Sequence, residues 1–325
     1  MDEGMNKLKI MLVRELPLIA FTTCAPAALG IALVALVGGI TSCLRAGLWL
    51  GGWRFAALAV VFTTVGMLAS VMHLARPLRA PRSLANVRSS WLSREILAVS
   101  LFWGILVAWL VLALAASGLP WHADALAVRV LGWLSLAACA LACVAGLLLV
   151  GVIARAYRVA GQPGWNGPEA FVELFAVVLR VGVPSSACLM LLAPEYADNP
   201  AWPWVACFIA LVCVVGAALL DRLASTSRTS RLEHELETGG NPRGRIPVAL
   251  SCVDAWRHER GYGIAVSLAA VCFIVLACLV PAFKLIAVTL AMICAFVSQA
   301  MMRAAFYGFC NPTRVPTRFP MRRQG

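Results

Sequence analysis

Eight apolar stretches, each long enough to cross a lipid bilayer, decide what this chain can fold into. They run over Leu18–Ile40, Phe55–Leu74, Ile96–Ala116, Val130–Ile153, Phe171–Leu192, Trp202–Leu220, Tyr262–Val280 and Leu285–Tyr307. A hydrocarbon core of ~30 Å needs about 20 helical residues at ~1.5 Å each. Lipid offers no partner to a bare backbone N–H or C=O, so runs without strand alternation must close their own hydrogen bonds as helices. A soluble globule has room to hide one or two such helices, not eight. The sequence therefore predicts an all-α, polytopic membrane protein, a bundle of eight transmembrane helices of the bacterial inner (cytoplasmic) membrane type. A content of 62% apolar and 13% charged residues agrees with that class.

Little remains outside the membrane, which predicts a single integral-membrane domain over 1–325. The one long connection is the polar stretch Asp221–Gly261, with room for an interfacial helix around Ser230–Glu237 but not for a second domain. The first helix is expected to stay. Its leader mixes charges (Asp2, Glu3, Lys7, Lys9, Arg14, Glu15), and the run behind it is too long for a signal-peptide core. Ile40-Thr41-Ser42-Cys43 has the look of a lipoprotein cleavage box. It follows a full-length span, so processing there is not expected.

The net charge of +12 raises the question of a nucleic-acid partner, and its distribution answers it. Of the 27 Lys and Arg residues, 21 fall on one side of the membrane: the N-terminal tail, the even-to-odd connections and the C-terminal tail. Four (Arg45, Arg54, Arg129, Lys284) fall on the other, and Arg180 and Arg303 lie inside spans. That asymmetry is the positive-inside signature and predicts both termini in the cytoplasm. The basic excess is a topology signal with anionic lipid contact as its by-product. No basic stretch interleaved with aromatics points to nucleic acid.

Twelve cysteines suggest clusters or metals, but none forms Cys-x-x-Cys and no run has ferredoxin spacing. Cys139 and Cys143 share a helical face, and Cys207 and Cys213 share another span; they read as small apolar packing residues. A disulfide needs two cysteines at the external face, and only Cys43 clearly lies there by sequence. Of four histidines, His122, His234 and His258 fall in predicted loops and only His73 ends a span. One histidine does not supply both axial ligands of an intramembrane haem. The sequence predicts no cofactor and no metal bound by this chain.

His73 has company. Ser70-Val-Met-His73-Leu-Ala-Arg76-Pro77-Leu-Arg79-Ala-Pro-Arg82-Ser83-Leu84 closes the second helix, and Ser89-Ser90-Trp91-Leu92-Ser93-Arg94-Glu95-Ile96 opens the third. Pro77 stops the helix, since it lacks an N–H and forces its predecessor out of helical geometry. Ser93 is the expected cap of the third helix, with Glu95 in its first turn, where the helix dipole favours a carboxylate. The hairpin brings His73 and Glu95 to one depth near the interface. An imidazole and a carboxylate are the side chains suited to taking the two protons released when a quinol is oxidised. The plainer reading is an interfacial histidine satisfied by backbone and a glutamate that neutralises the surrounding arginines.

His73-Leu74-x-x-Pro77-x-Arg79-Ala80-x-x-Ser83-Leu84 with Ser89-x-x-Leu92-Ser93-x-Glu95-Ile96 resembles the hairpin of the membrane anchor subunits of dimethyl sulfoxide reductases. Arg303-x-x-Phe306-Tyr307-Gly308 is similar to the end of those anchors. The resemblance implies a cofactor-free anchor that oxidises menaquinol. It passes the electrons to an iron–sulfur subunit that serves a molybdopterin catalytic subunit reducing S- or N-oxides. It also implies a quinol site at His73 and Glu95, with Arg79 as an anchor for the quinone oxygen or for Glu95. Arg76, Ser93, Arg303 and Tyr307 are the supporting residues. Two departures stand out. Ala75-Arg76 replaces the usual Gly-Ser, adding a cation, and the charge bias points the termini inward where familiar anchors are drawn with termini outward.

Of the charges inside spans, Arg180 lies two turns from Glu173, too far for a direct pair, and Arg303 reads as a tie between the last helix and its neighbours. Pro168 is expected to start the fifth helix and Pro184 to kink it. Two other functions compete with the quinol-oxidising anchor. One is a transporter using His73 and Glu95 for proton coupling, although broken helices and a half-to-half repeat are not evident. The other is a structural anchor without a working quinol site.

Overall fold

A computed structural model describes residues 2–46, 52–73, 86–118, 125–158, 163–193, 201–239, 246–247, 249–250 and 257–308. The helices are α1 (Asp2–Ala46), α2 (Gly52–His73), α3 (Trp91–Gly118), α4 (Ala125–Tyr157), α5, α6 (Ala201–Glu237), α7 (Arg257–Leu279) and α8 (Lys284–Gly308). Helix α5 has three parts, Glu169–Val177, a π-helical turn Val178–Gly182, and Val183–Leu192. Eight of these helical segments are long and apolar enough to cross a membrane, and no strand occurs among the described residues. The protein is a multi-pass, all-α membrane protein.

Neighbours in sequence pack as antiparallel hairpins, most closely α1–α2, α3–α4 and α7–α8. Contacts of α2 with α3 and of α4 with α1 close the first four helices into a ring. Helix α5 then lies against α1 on one side and α6 on the other, and α8 packs on both α5 and α1. Helix α5 is the central one: 78% of its most apolar window is buried, against 28% for α3 and for α6. The outer helices keep apolar side chains such as Leu101, Val111, Leu148 and Phe208 exposed, as a lipid-facing surface requires.

Helices in lipid gain little from apolar contact as such, so close approach through small residues does much of the packing. Ala25, Ala28, Ala32 and Ala35 line the buried face of α1. The closest crossing is Gly30 of α1 on Gly182 of α5: a Cβ on Gly30 would fall 2.3 Å from the Val178 carbonyl oxygen and 2.8 Å from the Gly182 Cα. Cys139 packs its thiol on α1, donating to the Ala32 carbonyl at 3.4 Å, in keeping with a small packing residue.

Three local expectations change. Helix α6 does not end at Leu220 but continues to Glu237 through the first part of the polar stretch, so His234 is helical. The polarity there is turned toward partners on α5, and it lowers hydropathy without breaking the helix. Helix α3 is capped by Ser90, whose Oγ accepts from the Ser93 N–H at 3.4 Å. Ser93 is therefore buried in the first turn, not at the cap, and Glu95 lies one turn further in than the dipole argument requires. Pro168 does precede the first residue of α5, and Pro184 sits at the start of its last part, directly after the π-helical turn.

Candidate functional site

The arginine-rich ends of the helices gather two polar assemblies. The first starts at α3. Asn86–Ser90 forms a tight turn, with the Ser89 and Ser90 N–H groups donating to the Asn86 carbonyl at 3.1 and 2.9 Å. Arg94 fastens that turn by donating to the Val87 and Arg88 carbonyls at 2.8 and 2.7 Å. The Trp91 ring carries the Arg94 guanidinium at 4.3 Å and Arg155 of α4 at 4.8 Å, which ties the start of α3 to the end of α4.

Glu95 projects from this start and is an electrostatic neighbour of two phenols, Tyr157 at the end of α4 and Tyr307 near the end of α8. Their hydroxyl oxygens are 2.7 Å apart. Tyr307 also reaches the hydroxyl of Thr22 on α1 at 3.4 Å, and Thr22 in turn donates to the Leu18 carbonyl at 2.8 Å. With its hydrogen engaged there, the Thr22 oxygen is left to accept. Three helices thus contribute to one string of three hydroxyls, Thr22, Tyr307 and Tyr157, with both tyrosines buried.

Aromatic rings wall the string. Trp165, in the turn before α5, stacks on Phe306 with centroids 5.5 Å apart and planes 7° from parallel, and its Nε1–H donates to the Phe306 carbonyl at 3.0 Å. Tyr157 meets both rings edge-on, at 5.5 and 5.4 Å. Such pairs fix ring orientation beyond what burial does.

The second assembly is ionic. Glu173 of α5 takes a two-pronged contact from Arg228 of α6, at 2.9 and 2.8 Å, and a third bond from Arg260 of α7 at 2.9 Å. Arg303 of α8 donates to the Glu173 backbone carbonyl at 3.2 Å and lies 5.1 Å over the Phe306 ring. Arg180 pairs with Asp221 of α6 and donates to Gln299 of α8 at 3.2 Å. Burying charges in a membrane is costly unless they are paired, and here pairing joins α5 to α6, α7 and α8. The reading of Arg303 as a tie agrees with this geometry, and Arg180 indeed does not pair with Glu173. A cavity of about 490 Å³ opens beside this assembly between α6 and α7. It is lined by Asp221, Arg222, Ser225 and Arg260 among others, but not by Glu95 or the tyrosines.

Of the residues expected from sequence, Glu95, Tyr307 and Arg303 come to this region, and Ser93 lies buried beside the Arg94 clamp. His73 is the last residue of α2, with only its backbone among the described positions, and Arg76 and Arg79 lie outside the described residues. Tyr157 and Trp165 were not singled out from sequence. A signal for Tyr157 was available, since the chain has only four tyrosines and three of them, Tyr157, Tyr262 and Tyr307, stand at the arginine-rich ends of spans. Among the described residues, no group of three or more His, Cys, Asp or Glu side chains is placed to hold a metal ion.

Comparison with known proteins gives this arrangement a family. Residues 11–225 match the family described as DMSO reductase anchor subunit (DmsC). The chain is 29% identical over 174 residues to the anaerobic dimethyl sulfoxide reductase chain YnfH of Escherichia coli, covering 52% of this chain and 55% of that protein. It is 29% identical over 185 residues to a chain of the anaerobic dimethyl sulfoxide reductase of Haemophilus influenzae, covering 54% and 59%. It is also 29% identical over 179 residues to a subunit of the sulfite dehydrogenase of Allochromatium vinosum, covering 55% and 53%. The match spans little more than half the length of these curated relatives. The hairpin that carries Glu95 and the helices that carry Tyr157 and Glu173 all fall inside the matched region, and the chain belongs to the DMSO reductase anchor subunit family.

Proposed function

We propose that this chain is the quinol-oxidising anchor of a molybdoenzyme complex in a bacterial inner membrane. In this reading it draws electrons from menaquinol and passes them to an iron–sulfur subunit that serves a molybdopterin S- or N-oxide reductase. The observation that carries the reading is Glu95 set beside the hydrogen-bonded Tyr157–Tyr307 pair, in the hairpin whose first helix ends at His73.

Oxidising a quinol to a quinone releases two protons and two electrons. Glu95 is a base for one proton, and His73, at the end of the adjoining helix, is the candidate for the other. Arg79 and Arg76, from the connection after His73, are the candidate cations that hold the quinone oxygen and balance Glu95. The Tyr157, Tyr307 and Thr22 hydroxyls form a string able to hand on a proton from the Glu95 side. Trp165 and Phe306 supply flat apolar walls beside it. The electrons leave to the nearest cluster of the partner subunit.

The dehydrogenase name of the relative from Allochromatium vinosum favours a second reading in which electrons flow the other way and the same site reduces quinone. Both directions use the same bases, since the base for quinol oxidation is the acid for quinone reduction.

The test is the Glu95→Gln variant of the assembled complex. It keeps size and some hydrogen bonding but removes the base. Quinol-dependent turnover is expected to fall by about 10²–10⁴-fold, the scale of a general base. Turnover with an artificial donor that reduces the catalytic subunit directly should be unchanged. Normal quinol oxidation in this variant would remove Glu95 from the mechanism, and parallel loss of both activities would make its role structural.

A further inference from the structure

The ends of α5, α6 and α7 remote from the arginines bring three cysteines into one apolar cluster, which includes Cys188 and Cys207 with Cys278 packed against it. The Sγ atoms of Cys207 and Cys278 are 3.2 Å apart. Cys278 is the next-to-last residue of α7, and its Sγ also approaches the Pro203 carbonyl in the first turn of α6, at 3.8 Å. Cys207 is buried and Cys278 is partly exposed. A metal reading lacks ligands, because no third His, Cys, Asp or Glu completes a metal set here among the described residues.

Sequence placed only Cys43 near the face opposite the arginines. The fold adds this pair, since α6 begins and α7 ends at that face. The distribution of 21 against four basic residues assigns that face to the exterior, which in a bacterial inner membrane is an oxidising compartment.

We propose that Cys207 and Cys278 form a disulfide that staples α6 to α7 at the external face. The two thiols lose two protons and two electrons as one S–S bond forms. A disulfide-bearing thiol oxidant takes the electrons, and its own S–S bond opens to two thiols through a mixed disulfide at Cys278. A disulfide has its sulfurs ~2.05 Å apart, so the pair closes by about 1.1 Å, within reach of a small side-chain rotation. The bridge closes a loop that holds the arginine-rich halves of both helices, including Asp221, Arg228 and Arg260. The plain alternative is that the two thiols only pack, as small apolar residues do between helices. The inference depends on membrane orientation and not on quinol chemistry, so its failure leaves the quinol reading untouched.

The experiment uses the full chain in native membranes, quenched with acid and labelled with a maleimide-linked polymer, with and without prior reductant. The expected result is two additional reactive cysteines after reduction of the wild type. Cys207→Ser and Cys278→Ser should each lack that gain, and non-reducing peptide mapping should recover the Cys207 peptide joined to the Cys278 peptide. Equal labelling with and without reductant would overturn the proposal, as would a Cys207–Cys188 link. If the serine variants fail to accumulate, the wild-type peptide map decides alone.

Discussion

The two halves of the bundle solve the same problem by different means. In α1–α4 the buried surface is apolar and fine-grained. Alanines of α1 share a core with Phe102, Leu106 and Trp109 of α3, and Gly146 of α4 comes so near that a Cβ there would meet Leu29 at 2.9 Å. In α5–α8, ion pairs cross between helices: Glu173 with Arg228 and Arg260, and Arg180 with Asp221. Both devices suit a solvent in which apolar contact alone does not distinguish a neighbouring helix from a lipid tail. Shape fixes distance in the first half, and charge fixes partner identity in the second. The lesson is that a helix pair held by charge has an all-or-none dependence on its acceptor, while one held by shape degrades with each added atom.

Glu173→Ala should break the comparison most visibly. It removes the acceptor shared by Arg228 and Arg260 and leaves their charges buried. Loss of one partner from a buried pair costs about 3–5 kcal/mol, so the detergent-solubilised protein should melt at a much lower temperature or fail to accumulate. An unchanged melting temperature would mean the ionic assembly does not hold α5 to α6 and α7. Next in size is Gly30→Val in the shape-held seam, where the new side chain meets backbone on both Val178 and Gly182. Over-packing of this kind costs about 1–3 kcal/mol, read by the same melting assay. Wild-type melting would show that α1 slides away from α5 without penalty, and the seam would not be fixed by shape. The smallest effect sharpens the contrast with burial. Arg231 and Glu235 pair at 3.0 Å one turn apart on α6, but Glu235 is 37% exposed. Glu235→Gln should cost only about 0.3–0.5 kcal/mol, within the scatter of the assay.

The fold was largely legible because length and apolarity leave a membrane chain few choices. All eight spans were found, and Arg303 was read as a tie from charge and depth alone. What hydropathy concealed was the second half of α6. Its average falls at Asp221, although the buried positions Ala210, Val214, Ala217, Asp221, Ala224, Arg228 and Leu232 continue one helical stripe at intervals of three and four. Periodicity that ignores whether a residue is polar would have traced the helix to its end. The candidate site was legible only in its local part. Glu95 announces itself beside a proline-closed helix and a run of arginines. Tyr157, Trp165 and Thr22 come from three other places in the chain, and only tertiary packing joins them. Ser90 displaced Ser93 as the cap because the turn from Asn86 ends there, and both serines were chemically able.

The π-helical turn Val178–Gly182 has a consequence for how α5 tolerates change. A π turn holds one residue more than an α turn, and in an α-helix each residue rotates the chain by about 100°. The two parts of α5 are therefore out of phase with the face that a continuous α-helix would present. Deleting one residue between Val178 and Gly182 should restore an unbroken α-helix. It should swing Val183–Leu192 by about a quarter-turn relative to Glu169–Val177, carrying Cys188 away from Cys207. The central helix thus behaves as two short rods on one axle, each with its own angular setting.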